Sequence, residues 1–273
     1  MHARQHIAYA ARRGLSAVVI TDHNICRYPD YDAARITANQ LGLRTMPGIE
    51  ITTVFGGVVM DILGYGFDPK SNLHRGLGLL RQTLSQWYRN RLIAVNEGEG
   101  LHIEPSSLEQ GWDGFWLQWH HISRAIAQEL NLSFSQGVEI FDRYFPEGFA
   151  PPITMPPDQA CDLIKQAGGK SVIAHGGIYL RKAEKTNGHN MLPCFSFLVR
   201  QLQQEHGLIG LEVFHPNHDE DDMYLLRHNF SGLNLFFTGG SDFHGSSIMP
   251  HRPIGNWGVD MEVYDRFEEA VLR

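Results

Sequence analysis

The chain has 273 residues, 42% of them hydrophobic and 19% charged, the profile of a globular protein with a sizeable core rather than a disordered one. A net charge of −7 argues against nonspecific binding to duplex nucleic acid or to an anionic membrane, since both need a basic surface. The three cysteines, Cys26, Cys161 and Cys194, are scattered and support neither a disulfide framework nor a thiolate zinc site; with no apolar leader and no run able to span a membrane, the expected location is a reducing cytoplasm.

In chain order, Ser16 to Thr21 is a short β-rich run, and Asp30 to Leu41 has helical spacing ending at Gly42. Arg44 to Thr52 and Val58 to Gly66 are two further apolar runs. A long helical pattern covers Leu73 to Glu97, followed by an aromatic segment with Trp112, Phe115, Trp116 and Trp119 and two more helical patterns. Pro157 to Ala167 is a helix with Pro157 in its first turn and Gly168-Gly169 at its end, and Lys170 to Ala174 is the strand after it. Leu192 to Gln204 and Asp219 to Asn229 are helical, and Leu208 to Phe214 and Leu233 to Thr238 are strands. This alternation predicts a largely parallel α/β sheet, open or closed into a barrel. The stretch 72–152 breaks the rhythm and reads as a helical insertion over the active-site end of a core made of 1–71 and 153–273; its tryptophans read first as core of a small helical subdomain.

The informative polar residues fall at the ends of predicted strands. Thr21-Asp22-His23-Asn24 follows the first run, His175 follows Val172-Ile173-Ala174, His215 follows Leu211-Glu212-Val213-Phe214, and Asp242-Phe243-His244 follows the last. In parallel barrels those ends are where active sites are assembled. Glu50 lies between two isoleucines and Asp61 between Met60 and Ile62; an unpaired carboxylate buried there costs several kcal/mol, so each needs a metal, a cation, a proton or a way out to solvent. Asp242 and His244 are two apart, so in an extended segment both side chains point one way. Imidazole and carboxylate without thiolate suit manganese, zinc or iron.

TDHN, PGIEIT, the strand through Asp61 into Leu63-Gly64, IAHGG, GLEVFHPNH and GGSDFHG stand in an order that resembles the PHP (polymerase and histidinol phosphatase) superfamily, and in particular its small bacterial phosphoesterases of nucleotides and short oligonucleotides. The resemblance implies a distorted seven-stranded barrel with a helical insertion and one to three divalent metal ions. Carried over by position, His23, Glu50, Asp61, His175, Asp242 and His244 would be metal ligands, with Glu50 bridging two ions, Asp61 and His175 on one, Asp242 on the other, and His23 and His244 on a third. A metal-activated water would attack phosphorus. His121 and Arg124, in HHISRAI, match a histidine–arginine segment near the substrate phosphate, and Arg124 and His218 are the catalytic candidates beyond the metals, His218 as proton donor to the leaving group.

The pattern also departs from the family. Its members open with a strand carrying His-x-His and a Ser-Asp-Gly loop, whereas this sequence starts at Met1 within the helix that follows; His2 and His6, four apart on a helix, are poor substitutes. Asp61 stands where the nearest members have a histidine, Gly176 where they have proline, and Trp119 where they have arginine. The expectation is either a start further upstream or a reduced metal site, with a homo-oligomer covering the open sheet edge. The reading is therefore a metal-dependent hydrolase of phosphate esters acting on a small phosphorylated substrate such as a nucleotide. The alternatives are a noncatalytic PHP domain acting through a partner, or a metal-dependent hydrolase of a non-phosphate bond.

Overall fold

The computed structural model describes residues 3–26, 28–108, 117–144, 152, 155–245 and 252–273. The chain divides into two compact units, Met1–Leu77 with Met155–Arg273, and Gly78–Thr154.

In the first unit the strands are β1 (Gly48–Phe55), β2 (Val58–Tyr65), β3 (Lys170–Ile173), β4 (Leu208–Phe214) and β5 (Phe236–Gly239), and they form one sheet in that order. The resemblance implies seven strands; among the described residues five are formed. The largely parallel sheet expected from the alternation is half antiparallel. β1 and β2 are a hairpin whose register closes at Phe55 opposite Val58, and β2 also pairs antiparallel with β3, Ile62 opposite Ile173. The reason is the connection: Gly56 and Gly57, both with positive φ, make a two-residue turn, far too short for a parallel crossover. The parallel half, β3 with β4 and β4 with β5, has helices in its connections: Gly176–Asn187 and Leu192–Glu205 before β4, and Glu220–Phe230 before β5.

The run Ser16 to Thr21 is an extended lane beside β1 rather than a strand. It is tied at its ends by parallel bridges, Ala17 with Arg44 and His23 with Glu50. Between those bridges Pro47 faces the other way, its carbonyl accepting from the Gly66 N–H. Gly48 is what lets the lane lie so close: a Cβ there would stand 2.4 Å from the Ile20 carbonyl oxygen and 2.5 Å from Val19 Cγ1. Gly48→Ala is expected to cost at least about 1–3 kcal/mol by overpacking, read from the denaturation midpoint, because the nearest atom is backbone and cannot swing aside.

Helix Ala3–Arg12 packs Ile7 and Ala10 against Ala34 and Ala38 of helix Tyr28–Gln40, while Phe267 and Val271 of the C-terminal helix Met261–Leu272 bury against Met46, Leu63 and Val172. His6 lies on the first of these helices with its ring beside Phe243, and burial lowers its pKa to about 4. His2 lies outside the described residues. The helical pattern expected over Leu73 to Glu97 is broken at Leu77, between Gly76 and Gly78, into Leu73–Gly76 and Gly78–Glu99. Glycine is costly inside a helix.

The second unit is helical: Gly78–Glu99, Pro105–Leu108, Trp119–Glu129 and Phe134–Arg143 close over Leu92, Val95, Leu117, Ile122, Ile126 and Phe141. Trp119 packs half-buried on this core, while Trp112, Phe115 and Trp116 lie outside the described residues. Among the described residues no helix is long and apolar enough to cross a membrane.

Candidate metal centre

The carboxylates and histidines of the first unit converge because each strand end turns in a particular way. At the end of the lane, Asn24 is fully buried with φ +55. Its side chain clamps β1 at Thr52, donating from Nδ2 to Oγ1 at 3.0 Å and accepting from the Thr52 N–H at 2.9 Å. The Asn24 N–H donates to the Glu50 carbonyl. This places His23 Nδ1 3.6 Å from Glu50 Oε2. Asn24→Ala strands the Thr52 N–H and keeps a strained φ without the local bonds that offset it; a loss of about 1–3 kcal/mol is expected in urea titration.

Glu50 and Thr52 alternate onto one face of β1, and Asp61 on β2 stands opposite Thr52. Glu50 is 6% exposed and Asp61 8%. His175 follows β3 in a left-handed conformation, φ 29 and ψ 51, at the start of helix Gly176–Asn187. Its N–H donates to Glu212 Oε2 at 3.0 Å, and its Nε2 comes within 3.2 Å of Glu50 Oε1 and 3.7 Å of Asp61 Oδ2. His23, Glu50 and Asp61 each offer a ligand atom within 4.8 Å of the others. Asp61 Oδ1 is buried without a hydrogen-bond partner.

Burial opposes the charge on every one of these groups, and the neighbours decide the outcome. Glu50 ends below its ordinary pKa because His23 and His175 outweigh burial. Asp61 ends above, from burial and then the Glu50 charge. Burial works against His175, yet the Glu50 hydrogen bond and charge carry it up to about 9; His23 is raised in the same way by Glu50, Asp61 and Asp242. Glu212, buried behind His175, is pushed up to about 8.

Asp242 and His244 follow β5 on a turn where Asp242 has φ +48. Asp242 Oδ1 lies 3.3 Å from His244 Nδ1, and Oδ2 lies 3.8 Å from His215 Nε2 and 2.8 Å from Arg252 Nη1. Burial would raise this carboxyl, but His215 and His244 hold it well below its ordinary range. The two clusters adjoin: ring centroids are 5.4 Å apart for His175 and His215, and 6.1 Å for His23 and His244. All six sequence-derived ligand candidates are thus in one neighbourhood.

The remaining candidates differ. His218 is buried, and both ring nitrogens face backbone: Nε2 accepts from the Gly177 N–H at 3.1 Å and Nδ1 donates to the Val213 carbonyl at 2.8 Å. Burial lowers its pKa. His121 and Arg124 belong to the second unit. His121 Nδ1 accepts from the Gln118 N–H and caps helix Trp119–Glu129; burial, then the Arg124 charge, lowers its pKa to about 4. Arg124 is exposed. Sequence reasoning missed Glu212 and Arg252 as parts of the site, and Asn24 and His215 are marked there only by their strand-end positions. Glu212 carried the same signal as Glu50, a carboxylate set among apolar strand residues; Arg252 carried none.

No family model matches the chain. Among characterised proteins it is similar to the 5'-3' exoribonuclease Rnm of Salmonella typhimurium, 26% identical over 245 residues, 86% of this chain and 77% of that protein. It is 28% identical over 262 residues to the phosphoribosyl 1,2-cyclic phosphate 1,2-diphosphodiesterase of Eggerthella lenta, covering 90% of each. It is also 26% identical over 246 residues to the 3',5'-nucleoside bisphosphate phosphatase of Chromobacterium violaceum, 86% of this chain and 79% of that protein. Two solved structures share the fold. A metal-dependent phosphoesterase from Bifidobacterium adolescentis has a TM-score of 0.81 at 20% identity, covering 99% of this chain and 91% of that one. An amidohydrolase from Chromobacterium violaceum, with bound sulfate and no metal, has a TM-score of 0.79 at 22% identity, covering 100% and 93%. The order of the strand-end residues, the fold and these relatives together support a phosphoesterase of the PHP type.

Proposed function

We propose that the chain is a metal-dependent hydrolase of phosphate esters, with nucleotides, nucleoside bisphosphates or short oligonucleotides as its substrate class. The observation that carries the reading is the charge balance at Glu50 and Asp61: two buried carboxylates face His175 and His23, and Asp61 Oδ1 has no donor. Among the described residues neither carboxylate pairs with a lysine or arginine. A divalent ion fits this set, since hard oxygens and imidazoles without thiolate suit manganese, zinc or iron. His23, Glu50, Asp61 and His175 would hold it, and when bound it would supply positive charge to phosphoryl oxygens and lower the pKa of a water.

The chain's own residues do the positioning. Glu212 fixes the backbone of His175, and Asn24 fixes the turn that carries His23. The resemblance gives His121 and Arg124 to the substrate phosphate and His218 to the leaving group. Both ring nitrogens of His218 are engaged with backbone, so the geometry better fits a role holding the 215–218 turn against the start of helix Gly176–Asn187. His215, whose Nε2 is buried 3.8 Å from Asp242 Oδ2, is the better placed proton carrier. Closure into a distorted seven-stranded barrel, an insertion at 72–152 in a core of 1–71 and 153–273, and a cytoplasmic location belong to the same reading and rest on the resemblance and the composition.

Release of inorganic phosphate from nucleoside 3',5'-bisphosphates, or of mononucleotides from short 5'-phosphorylated oligonucleotides, tests the reading, with chelated and manganese-reloaded protein compared and a panel of amides run alongside. Phosphate release that returns on reloading is expected. Turnover of amides alone would replace the reading with hydrolysis of a non-phosphate bond.

A further inference from the structure

The carboxylates of the centre are compensated in two different ways. Among the described residues the ion-pair partners of Glu50 and Asp61 are the imidazoles of His23 and His175. Asp242 has a permanent cation. Arg252 is 7% exposed, donates from Nη1 to Asp242 Oδ2 at 2.8 Å and from Nη2 to Asn217 Oδ1 at 2.6 Å. The segment after it is tied down as well, since Arg13 Nε donates to the Ile254 carbonyl at 3.2 Å and Ile254 is buried. A guanidinium cannot lose its proton, so a buried one must keep a carboxylate partner. Asp242 is that partner, and its other oxygen faces His244. A divalent ion drawn to Asp242 would meet a fixed positive charge that has no other described carboxylate to turn to.

We propose, resting on the function proposed above, that Arg252 is the built-in cation of the Asp242 half of the centre, so that the chain holds a single divalent ion, at His23, Glu50, Asp61 and His175. Asp242 and His244 then line the site without ligating a second ion, where the resemblance implies further metals.

The test is metal content per chain by elemental analysis, after loading with millimolar Mn²⁺ and gel filtration. The unsubstituted chain is expected to carry one equivalent. Arg252→Met, close in shape and uncharged, frees Asp242 and is expected to admit a second. The double variant Asp242→Asn with Arg252→Met removes both charges together and is expected to keep one, which preserves the test if Arg252→Met alone fails to fold. Two or more equivalents in the unsubstituted chain would overturn the proposal and leave the phosphoesterase reading standing. So would a count that stays at one in folded Arg252→Met, or one that drops in the double variant. No ion in any form would instead overturn the metal site of the proposed function.

Discussion

Glu50→Gln is expected to weaken divalent-ion binding by more than about 100-fold and to bring metal-dependent phosphate release down to background. The magnitude follows from a comparison: losing a group that merely orients a metal ligand costs about 10–100-fold in affinity, and Glu50 stands among the proposed ligands themselves. Its two oxygens face different histidines, Oε1 towards His175 and Oε2 towards His23, so the amide would keep the shape and remove the charge that both respond to. The same change should lower the pKa of His175, because the Glu50 hydrogen bond and charge are what overcome burial there. Calorimetric titration with Mn²⁺ reads the first effect and the histidine proton resonances read the second. Retained full affinity would remove Glu50 from the ligand set.

The second large effect is in pH. Ion and proton compete for His175 Nε2, and a histidine raised to about 9 holds its proton throughout the neutral range in the metal-free chain. Each ion bound there must release that proton, so apparent affinity is expected to rise about tenfold per pH unit between about pH 6 and 8 and to level off near the His175 pKa. The sign is fixed by the direction of the shift: the ligating form is the neutral one, and raising the pH populates it. Asp61 and His23 are raised as well and act in the same direction, steepening the acid end. Affinity that is flat in pH, or that falls as pH rises, would show that His175 is not a ligand.

How far the sequence discloses this centre depends on the distance over which each residue's role is set. Strand β4 runs from Leu208 to Phe214 as its apolar pattern predicts, and helix Pro157–Gln166 starts at the proline that marks it. The cost of burying a carboxylate among apolar strand residues points to Glu50 and Asp61, and both are buried. The antiparallel half of the sheet was legible only in Gly56-Gly57, since Arg44 to Thr52 and Val58 to Gly66 look alike whichever way they pair. Helix Gly176–Asn187 opens on two glycines, residues that disfavour a helix. They are there for space: a Cβ on Gly177 would stand 2.8 Å from the Asp222 carboxyl carbon. Arg252 is an ordinary polar residue until folding brings it to Asp242, 10 positions away, and to Asn217, 35 positions away. Nothing local in the sequence marks such a partnership.

The most direct measurement of the central claim is anomalous diffraction from crystals of the chain soaked in Mn²⁺. A peak among His23, Glu50, Asp61 and His175 is the predicted result. A peak confined to Asp242 and His244, or none in crystals that show bound manganese elsewhere, would contradict the assignment of the catalytic ion to this cluster.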